Sequence, residues 1–162
     1  MSALDVLSSL EPPWVHLVVL DDGESLDLSR LRNSEFFVAV VDGRRGRTKL
    51  ALIDEFGLAL CFPSGVGRNW DAFEEVLNDL EWLPASGYVI VVTHADELLA
   101  DEPDAEYHKL IDILTTTGKE WATGDDGYAQ PPRPVRPFHV VLMASRTSEG
   151  KRRDWRAPLL TA

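Results

Sequence analysis

Three short apolar runs constrain the fold of this chain more than any other feature. They read F-F-V-A-V-V at residues 36–41, Y-V-I-V-V at 88–92 and F-H-V-V-L-M-A at 138–144. Each run is too short for a buried helix and is rich in β-branched and aromatic residues, which is typical of a strand buried on both faces. Because such a strand needs cover above and below, the runs predict a layered α/β fold.

The segments between the runs supply the helices. Thr48 caps a predicted helix that extends to about Leu60, a second helix lies within 67–82, and a third begins at Asp104 and stops at Gly118. The residues expected to face the sheet from the first helix are Leu50, Ala51, Ile53 and Leu58. The order of elements predicts a small three-stranded parallel sheet with right-handed crossovers.

The remaining segments suggest a division into an N-terminal extension packed on the domain (1–35), a main domain (36–144) and a basic C-terminal tail (145–162). In the extension, W-V-H-L-V-V-L from Trp14 predicts either an extra edge strand or a short hairpin-like cap. The proline-rich stretch 123–137 predicts a long surface loop. We expect the loop and the tail to be peripheral to the fold, and the tail to be disordered.

Composition excludes several classes of protein. The formal net charge of −11 over 162 residues argues against nucleic-acid binding through a basic surface. The single cysteine, Cys61, cannot form an internal disulfide. No apolar stretch approaches the roughly 18 residues of a membrane span. We therefore expect a monomeric, soluble, cytoplasmic protein with no membrane contact, cofactor or metal.

The helix within 67–82 has an apolar side and an acidic side. At about 100° per residue, one stripe collects the apolar residues Trp70, Phe73, Val76, Leu77 and Leu80. The opposite face carries Asp71, Glu75 and Asn78, with Glu74 and Asp79 at its flanks. Asn69 is the expected N-cap, and the preceding glycines permit a tight entry into the helix.

The acidic side has no positive charge near it in sequence. Ten further carboxylates follow Asp71 up to Glu106, and no lysine or arginine interrupts them. The local field should be strongly negative, so a cationic partner is the natural complement. A solvated helix face with no binding role is the alternative reading of the same charges.

At this point the sequence resembles a known family. The run P-S-G-V-G-R-N-W-D-A-F-E-E-V-L-N-D-L-E-W from Pro63 is similar to the signature of the barstar family of intracellular ribonuclease inhibitors. The similarity covers roughly Phe36 to Ala144 and is specific at this run. It implies a barstar-like fold, and it implies that this helix and the preceding loop block the active site of a nuclease.

The resemblance also implies which residues contact the partner. The positions that match the family motif are Gly67, Asn69, Trp70, Asp71, Glu74 and Glu75, and Asn78 projects from the same face. Glu75 falls at the central position, where the family usually has aspartate. Gly65 and Glu74 stand where the best-known member has aromatic residues, so apolar anchoring should be weaker here.

The function implied is binding and inhibition of a small basic ribonuclease, without catalysis. A first alternative is an adaptor or regulator of the same fold that binds another basic protein. A second is an enzyme that uses the region of His94 and Asp96, because ligands often bind at the carboxyl ends of strands in α/β sheets. A metal site there would need a third ligand, for which His108 on the next helix is only a candidate.

Overall fold

The computed structural model describes residues 2–125, 133–146 and 153–160. Residues 126–132 of the predicted long loop and residues 147–152 and 161–162 of the basic tail lie outside this description. The strands are β1 (Val15–Leu20), β2 (Phe36–Asp42), β3 (Gly87–Thr93) and β4 (Phe138–Ser145). The helices are α1 (Ala3–Leu7), α2 (Ser29–Arg32), α3 (Lys49–Ala59), α4 (Trp70–Leu77) and α5 (Asp104–Thr123), with single 3₁₀ turns at Gly43–Arg45 and Ala95–Glu97.

The four strands form one parallel sheet in the order β1-β4-β3-β2. The α/β class is confirmed, but the predicted count of three strands is wrong. The extra strand is β1, which pairs with β4 in the register Val15 to Val140. Of the two alternatives left open for the N-terminal extension, the edge strand is the one that forms, because its apolar residues are buried against the sheet.

The sheet is covered on both faces, as its apolar strands require. Side chains of β3 alternate between two cores: Ile90 and Val92 face α3, α4 and α5, while Val89 and Val91 face the side of α1 and α2. All four are buried. The central strands β3 and β4 therefore hold the two layers of helix together.

The predicted helix α3 is confirmed, with Thr48 as its N-cap, but its buried face differs from the prediction. Leu50 and Leu58 are 44% and 74% exposed, and Leu52 and Phe56 are fully buried instead. Ile53 and Leu58 are five residues apart, which places them about 140° from each other around a helix. They could not share a face, so the assignment of Leu50 and Leu58 to the buried face was wrong, whereas Ile53 is buried as predicted.

The helix α5 continues past Gly118, where the sequence predicted a stop, and ends at Thr123. A Cβ at Gly118 would lie 2.4 Å from the Cβ of Trp14. This glycine therefore serves close packing against the residue before β1 rather than helix termination. The residue that caps the C-terminus is instead Gly124, whose φ of 74° is the left-handed conformation typical of this position.

The described end of the tail, residues 153–160, packs on the domain and does not match the expected disorder. The backbone N–H of Leu17 in the edge strand β1 donates to the carbonyl of Pro158 at 2.8 Å. The Tyr107 hydroxyl on α5 donates to the carbonyl of Trp155 at 2.7 Å. Because an open strand edge presents unpaired backbone groups, this segment satisfies part of the outer edge of β1.

A pair of buried histidines joins β1 to β4. The Nε2–H of His139 donates to the carbonyl of Ser9 at 2.8 Å, so its Nδ1 accepts from the Nε2–H of His16 at 2.9 Å. Both side chains are buried. Burial, and after it the neighbouring His139, lowers the pKa of His16 to about 4. Burial also lowers the pKa of His139, although hydrogen bonding to the backbone of Ser9 and Pro13 acts in the opposite direction.

We predict that stability falls as the pH drops below the ordinary histidine value of about 6.5. Above that pH both the folded and unfolded chains are neutral at His16, so it contributes no pH dependence. Below it the unfolded chain binds protons that the folded chain refuses, and His16 alone should cost about 2 kcal/mol by about pH 5. Urea unfolding at about pH 7 and about pH 5 measures this difference, in a window above most carboxylate titration.

The control for this experiment is His108→Gln on α5, which lies outside the pair and should leave the pH dependence in place. Equal free energies of unfolding at the two pH values would contradict the neutral, hydrogen-bonded pair.

Candidate functional site

The start of α4 is fixed by local hydrogen bonding. The Asn69 side chain accepts from the backbone N–H of Ala72 at 2.9 Å, which confirms the predicted N-cap. Before it, Gly65 adopts a φ of 88°, and a Cβ at Gly67 would lie only 2.9 Å from the Asn69 amide nitrogen. The loop thus needs glycine at these two positions for different reasons: conformation at Gly65 and close approach at Gly67.

The two-sided character of α4 is confirmed. Phe73 is fully buried, with its ring centroid 5.1 Å from that of Phe56 and 5.6 Å from that of Trp70. Asp71 and Glu75 are exposed on the other side. The helix ends at Leu77, earlier than the predicted stretch to residue 82. Leu80 still joins the core, but through a turn in which its φ is 50°.

Both ends of α4 are attached to α5 by tryptophan side chains. At the N-terminal end, the indole N–H of Trp70 donates to the carboxylate of Glu106 at 2.8 Å. At the C-terminal end, the indole N–H of Trp121 donates to the carbonyl of Leu77 at 3.0 Å. We call these two bonds the α4–α5 clamp. The clamp fixes the helix against the domain, so its acidic side is presented in one orientation.

Asn78, the C-cap residue of α4, is already engaged within the chain. The guanidinium of Arg133 donates to both its backbone carbonyl and its side-chain oxygen, the latter at 3.0 Å. The same guanidinium lies 3.7 Å from the ring centroid of Trp121. The positive charge at this helix end complements the macrodipole. Sequence reasoning missed Arg133 because it lies in the segment assigned as a surface loop.

The seven candidate contact residues lie in one continuous segment of the chain, from the loop to the end of α4. Gly67, Asn69, Asp71 and Glu75 are exposed, and Trp70, Glu74 and Asn78 are half-buried. Asn69, Trp70 and Asn78 have polar side-chain atoms that bond within the domain. The exposed carboxylates are therefore the groups that this surface offers to a partner.

In the part of the chain that the structure describes, the carboxylates of the acidic side of α4 form no ion pair. Within the described ranges, no lysine, arginine or histidine nitrogen lies within 4.0 Å of the carboxylates of Asp71, Glu74 or Glu75. Arg68 is adjacent in sequence, but its guanidinium pairs with Asp54 on α3 at 2.7 Å. Like charges held on one rigid helix produce a negative field that a cationic partner would relieve.

The region of His94 and Asp96 does not form a comparable constellation. His94 has a φ of 50°, and its Nδ1 lies 3.7 Å from a carboxylate oxygen of Asp42. That carboxylate is held by Arg44, whose hydrogen bonds lower its pKa. Asp96 is buried. In the described part of the chain, no three His, Cys, Asp or Glu side chains are grouped so as to hold a metal ion.

The fold and the site together describe a parallel α/β domain that presents a clamped acidic helix next to a glycine loop. Comparison with family models places it more narrowly, since residues 36–142 match the family described as Barstar (barnase inhibitor). The match covers more than half of the 162 residues, and the chain belongs to the barstar family. Searches of curated proteins and of solved structures returned no match.

Membership of this family indicates a protein-binding role of the ribonuclease-inhibitor type. It also accounts for the α/β order of elements that the sequence predicted. Of the helices in the described ranges, none combines the length and the apolar character needed to cross a membrane.

The packed and exposed sides of α4 should respond differently to truncation. Phe73→Ala removes a fully buried ring and should cost about 3–5 kcal/mol of stability through the cavity it leaves. Glu75→Ala removes an exposed side chain and should change stability by less than about 0.5 kcal/mol. Urea unfolding of the two variants side by side gives both numbers. A Glu75→Ala protein that unfolds would refute the orientation of the helix.

Proposed function

We propose that this protein inhibits a small basic ribonuclease by covering its active site with the acidic side of α4 and the preceding loop. The observation that carries the proposal is the exposed pair Asp71 and Glu75 on a clamped helix, with no cation of the described chain in ion-pair contact. The family match supports a target of this class. We further propose that the inhibitor acts as a monomer in the cytoplasm of the cell that makes the nuclease.

The physical basis is mimicry of charge. A ribonuclease binds the phosphodiester of its substrate through converging cationic groups. Carboxylates at fixed positions can occupy those phosphate sites, form charge-assisted hydrogen bonds and exclude RNA. No bond is made or broken by the inhibitor. The clamp matters because a helix that is already ordered loses less conformational freedom on binding.

The central position sets the geometry of the contact. Glu75 carries its carboxylate one methylene further from the backbone than the aspartate usual in the family, and it has one more torsion to order. Ordering this torsion costs conformational entropy. The total cost for such a side chain is up to about 2 kcal/mol, and the extra torsion accounts for part of it. The partner should therefore have a deeper cationic pocket than the family's usual target.

A binding role toward a basic protein that is not a nuclease is the second candidate. It is favoured by the departures at Gly65, Glu74 and Glu75, where the aromatic and aspartate residues associated with nuclease inhibition are absent. The two functions share the acidic surface and differ only in the target. A direct assay of nuclease activity separates them.

We predict that the purified protein abolishes the activity of a ribonuclease from the same organism at a one-to-one ratio, and that Glu75→Ala weakens this inhibition. Removing Glu75 leaves the cations of the nuclease buried and unpaired. The affinity loss should be about 2–5 kcal/mol, a range known for buried charge pairs in complexes that include barnase with its own inhibitor. Inhibition titrations with wild type and Glu75→Ala measure it.

Glu11→Gln is the matched control, because it removes one exposed negative charge far from α4 in sequence and lies outside the family match. Inhibition by Glu75→Ala within a few-fold of wild type would show that Glu75 is not the central contact.

The association rate should depend on salt. The negative field of the acidic side guides a basic partner over a Debye length of about 10 Å at 0.1 M salt, and added salt screens it. Stopped-flow mixing should therefore show faster association at low ionic strength, with a smaller effect on dissociation. Association rates that stay constant over the salt series would argue against electrostatic steering.

A further inference from the structure

The outer edge of β1 is covered by the last described segment of the chain, residues 153–160. β1 is an edge strand of the sheet, and all of its residues except His16 are aliphatic. The N–H of Leu17 donates to the carbonyl of Pro158 at 2.8 Å, and the N–H of Leu160 donates to the carbonyl of Leu17 at 2.9 Å. These bonds form a parallel bridge between Leu17 and Leu159. The segment therefore pairs with β1 as an added parallel strand would.

Three side chains anchor the segment to the two faces of the sheet. Trp155 and Ala157 pack against the core on the side of α3, α4 and α5. Leu160 packs against the core on the side of α1 and α2. Leu159, next to it, is 65% exposed and is not an anchor. Because the anchors reach both cores, the segment wraps around the edge of β1 rather than lying on one face.

A side chain of α5 contacts the beginning of the segment. The hydroxyl of the buried Tyr107 donates to the carbonyl of Trp155 at 2.7 Å. The two rings pack edge-on, with centroids 6.1 Å apart. The guanidinium of Arg153 lies 4.5 Å from the centroid of the Tyr107 ring, within the range of a cation–π interaction. Tyr107 thus contacts both the backbone and the side chains of the segment.

This arrangement has the parts of a peptide-binding sheet edge. In that mode of recognition, main-chain hydrogen bonds supply affinity, and contacts of particular side chains supply specificity. Here the main-chain bonds are made at Leu17, and the selective contacts are those of Trp155, Ala157 and Leu160. Both β1 and the segment lie outside residues 36–142, which match the family. A segment held at the surface by so few bonds can leave without unfolding the sheet.

We propose that the outer edge of β1, together with Tyr107, is a binding site for an extended peptide that runs parallel to the strand, and that residues 153–160 occupy it as a displaceable ligand. The occupant is the protein's own tail. An apolar strand edge left open pairs readily with strands of other chains, and the bound tail keeps this edge closed. The proposal goes beyond the proposed function and uses no residue of α4.

The test asks whether the site takes the same segment from solution. A ligand tethered by a short linker has an effective concentration of the order of millimolar, so a free peptide at micromolar concentration does not displace it. The probe is a fluorescein-labelled peptide of residues 153–160, and its binding to the full-length protein is followed by fluorescence polarisation. Wild type should bind the probe weakly. A full-length variant whose own tail no longer docks should bind it at least about tenfold more tightly.

Two neighbouring leucines provide a matched pair of variants. Leu160→Ser removes an anchor and should produce the gain in probe binding, whereas Leu159→Ser changes an exposed side chain and should stay within about twofold of wild type. Trp155→Ala removes a second anchor and should also gain, so the result does not rest on one variant. Urea unfolding checks that all three proteins are folded. No gain in either anchor variant over Leu159→Ser would overturn the proposal.

Hydrogen exchange shows whether the tail has left the edge. The Leu17 amide donates to the carbonyl of Pro158, so it should exchange at least about tenfold faster in Leu160→Ser than in Leu159→Ser. Unchanged exchange in both anchor variants would show that these side chains do not hold the segment, which would equally overturn the proposal.

A second pair of variants locates the bound probe. In the Leu160→Ser protein, Tyr107→Phe removes the hydroxyl that would bond to the probe backbone, and it should weaken binding by about fivefold. Tyr88→Phe removes a hydroxyl that bonds to the Leu83 carbonyl instead, and it should leave binding within about twofold. Equal effects of the two substitutions would show that the probe binds elsewhere, and would overturn the assignment of the site.

Discussion

The contact between α4 and α5 is the interaction on which the presentation of the acidic surface depends. A helix of eight residues is too short to be stable alone, and repulsion between Asp71 and Glu75 weakens it further. Two indole bonds, from Trp70 and from Trp121, and the fully buried Phe73 supply the missing stability. The domain therefore stabilises a charge arrangement that the helix could not maintain by itself.

Much of this could be predicted from the sequence because it rests on local patterns. The three apolar runs, the N-cap at Asn69 and the two sides of α4 follow from periodicity and from one side-chain hydrogen bond. The α/β class and the family followed from the same segments. The candidate site residues come from a short motif whose spacing fixes which side chains share a face.

The features that could not be predicted depend on contacts distant in sequence. Glycine often ends a helix, so the sequence predicted a stop at Gly118. In the structure, glycine is needed at this position because the backbone packs closely against Trp14, about a hundred positions earlier. The anchoring of Asn78 by Arg133 likewise spans the chain. Nothing in the local pattern distinguishes a glycine that ends a helix from one that admits a neighbouring side chain, since both lack a Cβ.

Two pairs of polar residues in this molecule illustrate how a polar group that stabilises the fold differs from one that is available to a partner. His16 and His139 are buried, and they form hydrogen bonds to each other and to the Ser9 carbonyl. These hydrogen bonds are made within the fold. Glu75 and Asp79 lie at a groove, exposed, on a backbone held fixed, and make no ion pair within the described chain. A buried group satisfied by its own chain stabilises one structure. Exposed like charges on a rigid support are complementary to a partner of opposite charge, which is why we propose that binding occurs at α4.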